Sequence, residues 1–330
     1  MLLDGHGGGR KNKNWSKAHK FYIASNINLA DWGMYMKGYI IYQSGEAEKN
    51  KSFIEKLKAE GDNQGINFEY VPEEEHLECA EPDIVINRTR DYRVSRHYEN
   101  KGIAVFNPAY LVHIGNNKYE AAMYLSEHLT YEVKSNKWAA NTWFVSKSEL
   151  SSLLDNEYLK RLVSNLAGDS CNDVVIKSVD GHGGREVFLL DNGASNTEKL
   201  KEILENLKGK DCVIQERIES NSSDIRVYIV GGEIYAAVLR NGSNDFRSNY
   251  SLGGSASEYK LIESQKSYVR KFVEALGGSR IGMAGIDFIV TKDGNLVFNE
   301  IEEMAGSRML YECTGYNIAA DYVKWISRFV

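Results

Sequence analysis

The sequence predicts an α/β unit built on a small parallel sheet, followed by a larger α+β unit. Three observations predict it. Between Gly38 and Phe106, short apolar strands alternate with amphipathic helices, the pattern of a parallel sheet with helices on its faces. From about residue 130 onward, hairpins mix with single helices, which marks a separate α+β region. Within that region, IGMAGIDFIVTKDGNLVFNEIEEMAG at 281–306 reads as two alternating apolar runs joined by Asp293-Gly294, a strong hairpin signal.

Composition narrows the function classes. A chain of 330 residues is long enough for two or three domains. A net charge of −6 gives no sign of a nucleic-acid binder. No apolar run approaches the ~18 residues of a membrane span, and the start lacks the apolar segment and cleavage site of a secretory signal. Cys79, Cys171, Cys212 and Cys313 stand far apart with no CxxC, which reads as reduced thiols in a cytoplasmic protein. The tyrosines and tryptophans leave a homo-oligomer open.

Residues 1–35 are rich in Gly, Lys and Asn and poor in core pattern, so they read as a largely disordered extension before a natural start at Met36. Their DGHGGGR at 4–10 nearly repeats DGHGGR at 180–185, but only the second copy follows a strand. Strand 39–43 is followed by a helix near 46–60 with Phe53, Ile54 and Leu57 on one face. Strand 66–71, strand 83–87, a helix near 92–101 and strand 103–106 complete the α/β unit. In such sheets ligands sit beyond the carboxyl ends of the strands. Arg88 and Arg90 follow strand DIVIN at that place; they suit a carboxylate or phosphate, or simply begin a solvated loop.

A helical run over 117–129 carries Lys118 near its start. Strand 174–176 delivers Lys177, and Gly181-His182-Gly183-Gly184 leads into strand 186–190. Glycines let a backbone approach phosphate oxygens, and the lysine supplies a charge for them; any Gly-rich hairpin with a lysine looks the same. Strand 211–218 precedes Asp224 and Arg226, which bracket the start of a strand turning through Gly231-Gly232. A flexible LGGSAS (252–257), a helix near 263–276 and a closing helix over 315–329 complete the chain around the 281–306 ribbon.

Counting outward from Asp293-Gly294 as a two-residue loop sets Lys292 against Asn295, Val290 against Val297, and Asp287 against Glu300. Glu302 points to the same face as Glu300 because side chains alternate along a strand. Three gathered carboxylates repel one another and match the oxygen donors that Mg²⁺ selects; a solvated hairpin with scattered acids is the alternative. There is no Walker A pattern and no GxGxxG.

The order of these pieces resembles the ATP-grasp superfamily, most closely its ribosomal-protein glutamate ligase (RimK-like) branch. The matching pieces are NK at 117–118, VVIKSVDGHGG at 174–184 and VIQERIESNSSDIRVYIVG at 213–231. They continue with FRSNYSLGGSAS at 246–257, AGIDF at 284–288 and FNEIEEMAG at 298–306. The resemblance implies a small parallel-sheet pre-ATP-grasp domain at 36–116 and a two-lobed ATP-grasp domain at 117–330. Its flap-bearing lobe would span about 136–216 and its metal-binding lobe about 217–330.

Carried over by position, the resemblance implies that Lys118 and Lys177 hold ATP phosphates beneath a flap at Gly181, Gly183 and Gly184. Glu216 and Arg217 would present backbone to adenine, and Asp224 would contact the nucleotide. Arg247, Ser248 and Asn249 would sit at the phosphates and the reacting carboxylate. Asp287, Glu300 and Glu302 would bind Mg²⁺ or Mn²⁺. Arg247, Lys177 and Arg226 are the candidates for catalysis, and Arg88, Arg90 and Arg308, with Arg226, for gripping substrate carboxylates. Glu302 stands where the family has Asn, Met304-Ala305-Gly306 replaces its small-residue, Pro, Gly ending, and one extra residue separates Asp287 from Glu300. The implied activity is ATP-dependent ligation of an amino acid, peptide or small carboxylate to an amine. A nucleotide-binding regulator, or phosphoryl or carboxyl transfer on the same fold, is the alternative.

Overall fold

A computed structural model of the chain describes residues 36–167, 173–191, 196–242 and 254–329. The expected extension at 1–35, with its first DGHGGGR, lies outside the described residues, as does Cys171.

The amino-terminal part runs β1 (Met36–Tyr42), α1 (Ser44–Lys49), α2 (Lys51–Asn63), β2 (Ile66–Pro72), β3 (Ile84–Asn87), α3 (Tyr92–Asn100) and β4 (Ala104–Phe106). Its strands form one sheet in the order β2-β1-β3-β4, parallel throughout. Both faces are covered, which explains the continuous apolar run of β1. Tyr39 and Ile41 pack with Val94 and Tyr98 of α3. Ile40 and Tyr42 point the other way, into a core with Phe53, Ile54 and Leu57 of α2.

Next come α4 (Ala109–Gly115), α5 (Lys118–His128) and α6 (Tyr131–Lys134). The Asn117 side chain caps α5, accepting from the backbone N–H groups of Tyr119 and Glu120, the role for which Asn is favoured before a helix. Then follow β5 (Thr142–Val145), α7 (Asn156–Ala167), β6 (Val174–Ser178), β7 (Val187–Leu190), α8 (Thr197–Leu207) and β8 (Cys212–Glu216). These strands form an antiparallel sheet in the order β5-β8-β6-β7. Val145, Val174, Ile176 and Ile214 face a core shared with Leu159 and Val163 of α7 and Leu200 and Ile203 of α8. The opposite face, carrying Val175, Lys177 and Gln215, is left for the cleft.

The carboxyl-terminal part contains β9 (Ser220–Val230), β10 (Glu233–Asn241), β11 (Ser255–Glu258), α9 (Glu263–Ala275), β12 (Met283–Thr291), β13 (Leu296–Glu302), α10 (Arg308–Cys313) and α11 (Ile318–Ile326). The sheet order is β11-β10-β9-β12-β13, antiparallel throughout. Ile225, Val227, Ile229, Ile286 and Phe288 pack on Val269 and Phe272 of α9. Residues 255–257, expected as part of a flexible segment, belong to β11, which pairs with β10. Polar composition hides such a strand, because an edge strand needs partners on one side only.

Two buried polar residues tie the amino-terminal sheet to this one. Asn107 donates from Nδ2 to the carbonyls of Met283 and Glu303 at 2.9 Å and accepts from the Gly282 N–H. Arg88 donates to the Tyr42 hydroxyl and, at 3.0 Å, to the Ala305 carbonyl. Ile318, Tyr322 and Val323 of α11 share the apolar core of Ile40 and Tyr42.

Candidate functional site

Strand register builds the site. On the face of the carboxyl-terminal sheet opposite α9, Arg240 of β10 lies across from Asp224 of β9, and Arg226 of β9 lies across from Asp287 of β12. Asp287 in turn faces Glu300 of β13, and Gly285 faces Glu302. Opposite charges paired across strands stabilise a sheet, and the Arg240–Asp224 and Arg226–Asp287 pairs link β10, β9 and β12 in this way, while Glu300 of β13 adds a like charge opposite Asp287. Arg226 grips Asp287 through two hydrogen bonds of 2.8 Å. Arg240 grips Asp224 through two of 2.6 Å and gives a third, 2.7 Å, to Asp287. Asp287 has no exposed surface. Burial opposes its charge, but the two arginines outweigh burial and hold its carboxyl below the usual range. Gly285 makes room for this grip: a Cβ there would stand 3.1 Å from Arg226 Cδ.

The Asp287–Glu300 pairing arises by a route different from the one expected. The turn holds three residues, Thr291 N–H donating to the Asn295 carbonyl, so Val290 pairs with Leu296 and not with Val297. A register shift next to Asp287 leaves Asn299 as the extra residue and restores Asp287 opposite Glu300. Bulges of this kind re-aim side chains beside functional sites. Asn299 accepts from Lys177 Nζ at 2.8 Å.

A cleft of about 1020 Å³, counting space open to solvent, lies over this face and the free face of the β5-β8-β6-β7 sheet. It brings together Lys118, Lys177, Gly181, Gly183, Gly184, Glu216, Arg217, Asp224 and Glu300. Lys118 Nζ donates to the Gly181 carbonyl and stands 3.6 Å from Glu300 Oε2. Lys177 is pushed down to about 8: burial is the main cause, opposed by Glu300 and reinforced by Lys118. Gly183 and Gly184 take φ of 68° and 72°, a left-handed turn that glycine adopts at no steric cost. His182, just before them, is held neutral, at about 4, chiefly by burial. The Glu216 carboxylate accepts from Lys137 and the Asn141 N–H, and Arg217 donates to Asp173. Both side chains are therefore turned to protein partners.

A second cavity, about 1540 Å³ with its opening, meets the first at Gly183 and Glu300. Lys49 and Lys56 border it from the amino-terminal sheet's helices, and Arg226, Arg240 and Arg308 from the carboxyl-terminal part. Arg308 thus stands where a substrate carboxylate could reach it. Arg88 does not: its guanidinium is buried and spent on Tyr42 and the Ala305 carbonyl, so it shapes the loop after β13. Arg90 offers its backbone carbonyl to Asn116 while its Nε is buried without a partner. Arg247, Ser248 and Asn249 lie outside the described residues.

A divalent cation such as Mg²⁺ needs oxygen donors brought together around it. No group of three or more His, Cys, Asp or Glu among the described residues stands close enough to hold one. Glu302 is held above the usual carboxylate range, first by burial and then by Glu300 and Asp287, against Arg226 at 3.6 Å. Glu300 and Glu302 therefore fit an added positive charge. Asp287 does not fit as it stands, since both of its oxygens are taken by arginine.

The RimK-like ATP-grasp domain family matches residues 148–326, more than half of the chain. The chain belongs to that family. It is an ATP-grasp ligase, and its parallel sheet followed by antiparallel sheets is the fold of such ligases. An uncharacterized protein of Mycoplasma genitalium is 28% identical over 305 residues, covering 88% of this chain and 92% of that one. A probable alpha-L-glutamate ligase 2 of Shewanella amazonensis is 33% identical over 159 residues, 48% of this chain and 51% of its own. The match to that glutamate ligase thus spans about half of each protein. Among solved structures, D-cycloserine synthetase DcsG superposes with a TM-score of 0.65 at 14% identity, over 89% of this chain and all of that one. D-alanyl-alanine synthetase A of Vibrio cholerae gives 0.64 at 12% identity, over 90% and 98%. These two likenesses concern the fold alone.

Three site residues escape a reading of the sequence. Asn299 is invisible because it is a bulge. Arg240 is missed because a shift at Tyr235 displaces the β9–β10 register by one; counting from Gly231-Gly232 would set Leu239 against Asp224. Gln215, inside VIQER, carries no signal beyond alternation along β8. No helix among the described residues is long and apolar enough to cross a membrane.

Proposed function

We propose that this ligase joins a substrate carboxylate to an amine at the expense of ATP, through an acylphosphate. The observation that carries the reading is the meeting of the two cavities. A cleft with Lys118, Lys177 and a glycine flap opens, at Gly183 and Glu300, into a cavity bordered by arginines and lysines. Phosphoryl transfer needs positioning and charge neutralisation more than a protein nucleophile, and that is what these side chains offer.

In the first step a carboxylate oxygen of the substrate attacks the γ-phosphorus and the bond to ADP breaks. In the second, the amine attacks the acyl carbon, inorganic phosphate leaves, and the amine's surplus proton passes to solvent. Lys118 and Lys177 hold the phosphates, the backbone at Glu216 and Arg217 meets the base, and Asp224 fixes Arg240. Arg226 and Arg240 face the second cavity, where they neutralise the developing negative charge, and Arg308 and Arg90 orient the carboxylate substrate. Arg247, Ser248 and Asn249 are assigned to the phosphates by their motif. Glu300 and Glu302 would hold Mg²⁺, with Asp287 joining only by giving up an arginine; such an ion neutralises triphosphate charge. Closure of Gly181–Gly184 would keep water from the acylphosphate.

The test is a screen of amino acids, short peptides and small carboxylates, paired with amines, for ADP release in the presence of Mg²⁺. ADP should form only when both partners are present, with a product equal in mass to the two partners less water. ADP formation with the carboxylate alone, at undiminished turnover and with a stable phosphorylated product, would favour phosphoryl transfer. Nucleotide binding with no turnover on any pair would favour a regulator.

A further inference from the structure

We propose that Asn299 is a positioning residue. From the bulge in β13 it holds the Lys177 ammonium across the cleft, fixed in place and with its charge left free for a triphosphate. The proposal rests on the ATP-dependent reading above and goes beyond it, because it gives a role to a residue that reading leaves unused.

Asn299 and Glu300 are consecutive, yet both line the cleft. The residues on either side, Phe298 and Ile301, both belong to the core beneath the sheet, with Phe272 of α9. Regular alternation allows neither pair; the register shift beside Asp287 produces both at once. The extra residue is thus aimed at the site and not merely accommodated.

The bulge also sits where the carboxyl-terminal sheet meets the segment leading into β5. The Phe298 N–H donates to the Trp138 carbonyl at 2.7 Å, and Ala139 bridges to Phe298. The next residue, Asn299, accepts at 2.8 Å from Lys177 Nζ of β6, 122 positions away in sequence. A backbone contact and a side-chain contact, one residue apart, therefore tie β13 to the other side of the cleft.

An ammonium can only donate, so the amide must turn its oxygen to Lys177. The lysine stem is flexible, and fixing it beforehand lowers the cost of ordering it when a ligand arrives. The neutrality of the acceptor matters as much. A carboxylate at this position would pair with the ammonium and offset its charge, whereas an amide oxygen takes one N–H and leaves two, with the charge intact. The acids whose charge reaches Lys177, Glu300 and Asp224, are directed to other cations, Lys118 at 3.6 Å and Arg240 at 2.6 Å.

The experiment is isothermal titration of the full chain with ATP in Mg²⁺, without carboxylate or amine, as a double-mutant cycle on Asn299→Leu and Lys177→Met. Asn299→Leu should weaken ATP about tenfold or more, as expected for losing a hydrogen bond to a charged group. In the Lys177→Met background the same change should cost less than about twofold, because a residue that acts through the lysine then has nothing to position. Asn299→Gln, which keeps the amide, should recover most of the loss. Asn299→Asp, isosteric and still an acceptor, should bind ATP more weakly because it offsets the charge. Equal losses from Asn299→Leu in the two backgrounds would mark a purely structural role and overturn the proposal. Should Lys177→Met bind too weakly to titrate, the contrast of Leu and Asp with Gln decides: equal ATP affinities in these three variants would overturn it, with the ligase left intact. Failure of the unaltered protein to bind ATP would overturn the ATP-dependent reading, and this inference with it.

Discussion

Lys177 is the residue whose chemistry the cleft alters most usefully. Burial lowers it to about 8, so the free ligase carries a mixture of charged and neutral amine near that pH. On the proposed reading, triphosphate binds the charged form and raises its pKa again. The sign follows: affinity for ATP is full below pH 8 and falls roughly tenfold per pH unit above it, until the pKa of the complex is reached. Calorimetry at pH 8 in buffers of different ionisation enthalpy should show net proton uptake on binding. ATP affinity unchanged between pH 7 and 9.5 would contradict the assignment. Lys177 was legible in the sequence as the charge delivered by a strand to a glycine turn. Its partner Asn299 was not, because nothing in FNEIEE marks which residue is squeezed out of the ladder.

At the scale of the element, the ribbon and its neighbours show what alternation can and cannot reveal. Acids at 287, 300 and 302 share a face because side chains alternate, and that much was readable. The assumption of a two-residue turn was mistaken, and the bulge at Asn299 compensates the longer turn by the same single residue. The shift at Tyr235 has no such compensation, so Arg240 went unnoticed although it joins Asp224 to Asp287. Helix α4 was missed for another reason: AYLVHIG is buried over most of its surface and shows little polar face from which to read a period. The ladder itself is open to test. Arg240→Met removes both hydrogen bonds to Asp224 and one to Asp287 within a buried sheet face. Truncating one member of a buried ionic network costs about 3–5 kcal/mol, which chemical denaturation would measure. A loss below about 1 kcal/mol, the range of exposed pairs, would show that the network contributes little to stability.

For the whole molecule, the parallel sheet and the antiparallel sheets are positioned by shared chemistry. Asn107 and Arg88 fasten the ends of β12 and β13 from the amino-terminal side, and α11 shares the core of the first sheet. The cavity proposed for substrate draws lysines from one side of this junction and arginines from the other. That juxtaposition could not be read from sequence, since it depends on contacts between residues more than 200 positions apart, such as Arg88 and Ala305. The central claim concerns what happens where the two cavities meet, and oxygen isotopes test it most directly. A carboxylate substrate identified by the ADP-release screen would be labelled with ¹⁸O in both oxygens and turned over with ATP and amine. The expected result is one ¹⁸O in the inorganic phosphate for each amide formed, because the attacking carboxylate oxygen leaves with phosphorus. Amide formation with unlabelled phosphate would contradict an acylphosphate.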